Sequence, residues 1–158
     1  MNKLKKTCNF LFGFSGRIGR LHFAISLLFL IISVVVFNIL PQVFLMMLGY
    51  ASIIQNSSAY EIIFVAVTVL VLTVLSIIFK YSHIARRIHD YDKSFGNSGL
   101  GITIALLDII VMFLSFSRSE YTLLLGFVSI ICLVSLVFIK GTKGENQFGA
   151  EPISFWKK

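Results

Sequence analysis

Long apolar runs separated by short polar clusters organise this chain. Four runs stand out, at about Leu21–Leu48, Ile62–Phe79, Leu100–Phe116 and Tyr121–Ile139. About 20 consecutive apolar residues let a helix cross the hydrocarbon core of a bilayer. The first run carries Asn38, Pro41 and Gln42 toward its far end. Pro41 removes a backbone donor and ends or kinks the helix, so the spanning part is placed at 22–40. The second run is rich in Val, Ile and Thr, which in water favour strands. In lipid an open strand leaves its backbone groups unpaired, so a helix is predicted over 62–79. Its apolar residues are continuous rather than alternating, which disfavours a β-barrel. The third run, 100–116, carries Asp108 at its centre, costing about 2.5–3.5 kcal/mol on insertion. Its Leu, Ile, Val, Met and Phe neighbours outweigh that. The fourth, 121–139, offers Gly126, Ser129 and Ser135 as small residues for close helix contact. The expected fold is an all-α membrane protein. It is a four-helix transmembrane bundle formed by one membrane domain over residues 1–158, with a short N-terminal interfacial segment.

Composition agrees with this pattern. The chain is 57% hydrophobic and 13% charged, against about 25% charged in soluble domains. Its net charge of +7 is distributed in clusters between the apolar runs. Four spans place Lys3, Lys5, Lys6, Arg17, Arg20, Lys80, Arg86, Arg87, Lys93, Lys140, Lys143, Lys157 and Lys158 on one side. Of the 14 Lys and Arg residues, this leaves Arg118 alone opposite. The positive-inside rule makes the crowded side cytoplasmic, with both termini on it. If the Asp108 run failed to cross, the last four lysines would fall outside, so charge supports that span. Tyr50, Tyr60, Tyr81, Tyr121 and Trp156 lie near predicted boundaries, where interfacial aromatics belong. The apolar run after the N-terminal lysines starts late and is too long for a cleaved signal. No basic helix or aromatic sheet motif stands apart from the apolar runs, so nucleic acid is not an expected partner. Cys8 and Cys132 fall at different membrane depths, and no disulfide is expected between them.

The polar chemistry collects in three segments, all on the predicted cytoplasmic side. The first is Phe14-Ser15-Gly16-Arg17-Ile18-Gly19-Arg20-Leu21-His22-Phe23, preceded by Phe10 and Phe12. Arg17 and Arg20 are three apart, a spacing that shares a helix face. They anchor topology or grip a phosphate or carboxylate, which guanidinium binds bidentately. The second is His83-Ile84-Ala85-Arg86-Arg87-Ile88-His89-Asp90-Tyr91-Asp92-Lys93. Its histidines and acids do not follow the i, i+4 spacing of a helical metal pair, and neighbouring arginines repel a cation. Structural pairing of Asp90 with an arginine is the favoured reading. The third is Lys140-Gly141-Thr142-Lys143-Gly144-Glu145-Asn146-Gln147-Phe148-Gly149-Ala150-Glu151-Pro152. Its glycines mark a specified turn. It lacks the order Gly-x4-Gly-Lys-Ser/Thr of a phosphate-binding loop.

Together these segments resemble domain-of-unknown-function family 805. That family has Phe-x-Gly-Arg-x-x-Arg-x-x-Phe/Tyr before its first helix, Arg-Arg-Leu-His-Asp after its second and Pro-Gly-Thr-x-Gly-x-Asn-x-x-Gly after its last. Here the matching residues are Phe14, Gly16, Arg17, Arg20 and Phe23, then Arg86-Arg87-Ile88-His89-Asp90, then Gly141-Thr142-Lys143-Gly144 with Asn146 and Gly149. Lys140 replaces the usual Pro, and Ser98-Gly99-Leu100 stands where a Ser-Gly-Trp segment is frequent. The resemblance implies a multi-spanning bacterial inner-membrane protein and brings no catalytic residues.

Three functional readings follow. The leading one is non-enzymatic, with Arg17, Arg20, Arg86, Arg87, His89, Asp90, Glu145 and Asn146 converging beneath the helices. They would lock the loops or bind an anionic lipid or small ligand. The second is a transporter or channel using Asp108, since an intramembrane acid is a functional candidate by default. Bland partners for Asp108 are Asn38, Thr68, Thr73 or Ser129. The third is a membrane enzyme using His89 and Asp90. Membrane lipids are the expected surroundings, and no cofactor or metal is expected.

Overall fold

In a computed structural model of the protein, residues 12–34, 59–117 and 120–152 are described. Among them the regular structure is helical: α1 Arg20–Val34, α2 Ala59–His89, α3 Gly99–Phe116 and α4 Tyr121–Phe138. One 3-10 turn, Phe95–Asn97, precedes α3. The Pro41 region and Cys8 lie outside the described residues. Two helical stretches, Val67–His89 and Tyr121–Phe138, are long and apolar enough to cross a membrane, while the apolar stretches Arg20–Ile32 and Gly99–Ser115 are shorter.

Three helices begin and end close to the bounds expected from hydropathy, as far as the described residues extend. The exception is α2, which continues ten residues past Phe79 to His89. Hydropathy marks where apolar side chains stop, not where the backbone stops being helical. Tyr81 to His89 contains no Gly or Pro to break the helix. The helix ends by tightening: Asp90, Tyr91 and Asp92 donate backbone bonds to Arg87, Ile88 and His89 at 3.1–3.2 Å. Such i to i+3 bonds satisfy final-turn carbonyls. Asp92 then takes a left-handed conformation, φ 60°. Ser98 begins α3 by accepting a bond from the Gly101 amide at 3.3 Å, the usual service of an N-cap serine.

The chain divides into two compact units, Met1–Ile25 with Ser82–Lys158, and Ser26–Tyr81. In the second unit most of the described large apolar side chains are exposed, Val67, Leu70, Val74 and Ile77 among them. Its Phe29 and Phe79 rings pack at 5.7 Å between centroids. Thr73 and Ser76 return their hydroxyls to carbonyls four residues earlier, Val69 and Leu72.

The first unit holds the buried core of the described residues. Its apolar part is Ile18, Phe23, Ile84, Ala85, Ile88, Ile104, Leu133 and Leu136, and its polar part is Ser82, His83, Arg86, Arg87, Asp90, Ser98 and Ser129. Here α3 and α4 pack along one another, and the Ser129 hydroxyl donates to Asp108 Oδ1 at 3.0 Å across them. Close approach of α3 to the end of α2 needs Gly101. A Cβ there would stand 2.7 Å from Ile88 Cδ1 and 3.0 Å from the Phe95 carbonyl oxygen.

Candidate functional site

The site is built where α2 and α4 end. The last carbonyls of a helix have no intrahelical donor, and the helix dipole places about half a negative charge there. Two such ends meet the Asp90 carboxylate, and two guanidinium groups offset the combined negative charge. Arg87, fully buried, donates from Nε to the Leu136 carbonyl at 2.9 Å and from Nη2 to that of Ile139. Its Nη1 serves the Ile18 carbonyl at 3.3 Å and Asp90 Oδ2. Arg87 therefore caps α4 while belonging to α2.

Arg17 reaches the same carboxylate from the N-terminal segment. Its Nε and Nη2 both donate to Asp90 Oδ1, at 3.2 and 3.0 Å. The remaining donors bind backbone carbonyls of the C-terminal segment: Thr142 at 2.7 Å, Gly144 at 2.7 Å and Gly149 at 3.2 Å. Both oxygens of Asp90 are thus held by arginines, and the planar guanidinium fork suits this many acceptors where an ammonium would not.

The C-terminal segment closes over the end of α2. Thr142 donates its amide (2.8 Å) and its hydroxyl (3.0 Å) to the Asp90 carbonyl. Asn146 Nδ2 donates to the His89 carbonyl at 2.9 Å and to Thr142 Oγ1 at 3.1 Å. Its Oδ1 accepts the Phe148 amide at 2.9 Å, while Asn146 and Gly149 exchange backbone bonds at 3.0–3.1 Å. This side-chain-to-backbone turn is a habit of Asn, and Gly149 completes it at φ 128°. Gly141 is demanded by contact: a Cβ there would lie 2.1 Å from Asp90 Oδ2.

The other expected residues separate into distinct roles. His89 lies with Nδ1 3.1 Å from the Gly16 carbonyl. That oxygen only accepts, so Nδ1 carries the proton. Its ring stacks on Phe148, centroids 3.9 Å apart and planes at 2°. His89 and Asp90 therefore engage different partners. Arg86 is buried toward a different set of groups, donating to the Ser82 carbonyl at 3.3 Å and meeting His83 Nε2 at 3.2 Å. Arg20 and Glu145 are exposed and form no hydrogen bond or ion pair among the described residues. Asp108 lies elsewhere, against Ser129. Among the described residues no group of His, Cys, Asp or Glu is placed to hold a metal ion. Tyr91 adds a buried hydroxyl, which lies beside Ser98 without a well-formed hydrogen bond. Burial above all, with the Asp90 charge adding to it and Ser98 and Arg87 opposing, pushes its pKa up to about 12.

Gly141, Thr142 and Phe148 belong to the third polar segment but were not among the residues expected to converge. The Gly-Thr pair after the last apolar run is the one local signal of a specified turn. The carbonyls of Leu136 and Ile139 carry no side-chain signature at all.

Helical regular structure among the described residues, two apolar helices of membrane length and a polar knot at the end of α2 are thereby defined. The family model described as "Protein of unknown function (DUF805)" matches residues 11–150, and the chain belongs to this family. No curated protein and no solved structure matches it.

Proposed function

We propose that the chain is a multi-pass bacterial inner-membrane protein that crosses the bilayer four times, with both ends cytoplasmic. Its polar cluster acts as a structural lock that closes the cytoplasmic end. The observation that carries this reading is the convergence of Arg17, Asp90 and Thr142 in one hydrogen-bonded knot. If the knot lies outside the hydrocarbon, the chain from Arg17 to Asp90 returns to the side it left, and so does the chain from Asp90 to Thr142. Each stretch then crosses an even number of times. At 1.5 Å per residue the 18-residue helices α3 and α4 are each about 27 Å long, near the roughly 30 Å hydrocarbon thickness. The 13-to-1 division of Lys and Arg supports the orientation.

A lock is favoured over a ligand pocket at this point because the donors of Arg17 and Arg87 are engaged by protein acceptors. Separate contacts for His89 and Asp90 leave no acid–base pair to support the enzyme reading. Asp108 held by Ser129 matches a role in joining α3 to α4, without recourse to a transport path. Reporter fusions at residues 56, 95, 118 and 158 test the topology. Positions 95 and 158 should report cytoplasm and positions 56 and 118 the opposite side. An external signal at 158 would refute four crossings.

A further inference from the structure

We propose that Arg20 and Lys140 together hold the phosphate of an anionic phospholipid headgroup at the cytoplasmic face; this rests on the membrane reading above. The two arginines of the first motif have different fates. Arg17 is consumed by the knot, its side chain 1% exposed, whereas Arg20 is exposed with no hydrogen-bond or ion-pair partner among the described residues. Lys140 is in the same condition. Among the described residues neither forms an ion pair with a carboxylate, and Asp90 is occupied by Arg17 and Arg87.

The backbone ties the segments that carry these two cations to one side chain. The carbonyls of Ile18 and Ile139 both accept from the Arg87 guanidinium. One residue separates Ile18 from Arg20, and Lys140 follows Ile139 directly. The start of α1 and the end of α4 are therefore tied to a single group, with an exposed cation one or two residues beyond each tie. Arg20 is near enough for its charge to act on Arg87. The depth is marked independently. Leu21 is 45% exposed and Phe138 74% exposed, so each cation sits within two residues of a large apolar side chain open to lipid. This is the headgroup level, where an aliphatic stem lies along apolar surface and the charge reaches phosphate. Arginine supplies a fork and lysine a point charge, a pairing suited to a phosphodiester.

The test uses the full chain, purified in detergent and exchanged with phosphatidylglycerol or phosphatidylcholine, with bound lipid read by native mass spectrometry. A basic residue near an anionic surface contributes about fivefold in affinity. The R20Q/K140Q variant should therefore lose phosphatidylglycerol by roughly 25-fold or more relative to wild type. K143Q, exposed on the C-terminal turn, should stay within twofold, and the charge-exchanged R20K/K140R should retain most binding. Millimolar inorganic phosphate should not displace the lipid. Retention of phosphatidylglycerol by R20Q/K140Q would overturn the site. So would an equal loss in K143Q, which would mean a diffuse basic surface, or displacement by inorganic phosphate, which would mean a soluble-anion site. Equal retention of phosphatidylcholine would also count against it. Circular dichroism of each variant reports folding. Lipid is read in detergent, so failure of the headgroup site is separable from an external reporter signal at 158, which would instead remove the membrane orientation.

Discussion

The two halves of α2 invert each other. From Val67 to Ile78 the large apolar side chains are mostly exposed, whereas Ser82 to Ile88 is buried without interruption and includes His83, Arg86 and Arg87. In water this arrangement would be costly at both ends: an extended apolar surface on one half and desolvated cations on the other. It becomes favourable when lipid solvates the first half and the protein solvates the second. Backbone carbonyls and one carboxylate replace water around Arg87, so its burial no longer leaves an unpaired charge. The exposed apolar half needs only apolar character, whereas the knot needs particular residues at particular places.

That contrast can be broken most strongly at Asp90. Asp90→Ala leaves two nearly buried arginines sharing no counter-charge, and removal of one partner from a buried pair costs about 3–5 kcal/mol. Thermal and denaturant unfolding of the detergent-purified protein should register a loss of that size. A loss under about 1 kcal/mol would show that the carbonyls alone hold the arginines.

Gly141→Ala should follow, at about 1–3 kcal/mol, because its Cβ displaces the pinned carboxylate. The same change made in an Asp90→Ala background should cost much less. Additive losses would show that the clash is felt elsewhere.

Asn146→Ala removes bonds to the His89 carbonyl and the Phe148 amide and should cost about 1–2 kcal/mol by the same unfolding assay. Leu70→Ala, on the exposed half of α2, should change stability by less than about 0.5 kcal/mol. A large loss there would mean that Leu70 is covered in the folded protein.

Alkaline pH gives a directional effect. Tyr91 is held protonated in the folded state to about pH 12, while in the unfolded chain it ionises near pH 10. Above pH 10 the unfolded state therefore binds fewer protons, and stability falls as pH rises from 10 toward 12. Tyr91→Phe should flatten this decline in a pH series of unfolding curves. It should also leave neutral-pH stability nearly unchanged, since the buried hydroxyl lacks a good hydrogen bond. A decline identical to wild type would assign the alkaline transition to another group.

The helices were legible because hydropathy is a property of neighbours along the chain. The starts of α3 and α4 at Gly99 and Tyr121 fall within one residue of the apolar boundaries. The far end of α2 was less legible, since the apolar run stops at Phe79 whereas the helix continues to His89 and Ser82 to Ile88 are buried. Sequence also indicated three polar segments in one family pattern, and that chemistry would gather on one side. It did not distinguish Arg17 from Arg20, two cations three residues apart, or Arg86 from Arg87, which are adjacent. The first of these pairs divides into buried knot and exposed surface, and the second into two separate sets of partners.

What the amino-acid sequence by itself determined is the helical class, the approximate bounds of most helices and the clustering of charge between the apolar runs. All three follow from local composition and from the need to pair backbone groups away from water. Tertiary structure alone decided that Asp90 would hold Arg17 and Arg87 at once, that a Cβ at position 141 would meet its carboxylate, and that α4 would be capped from α2. These depend largely on groups 49 to 73 residues apart meeting, where a guanidinium distinguishes carbonyls by position and side-chain type carries no information about them.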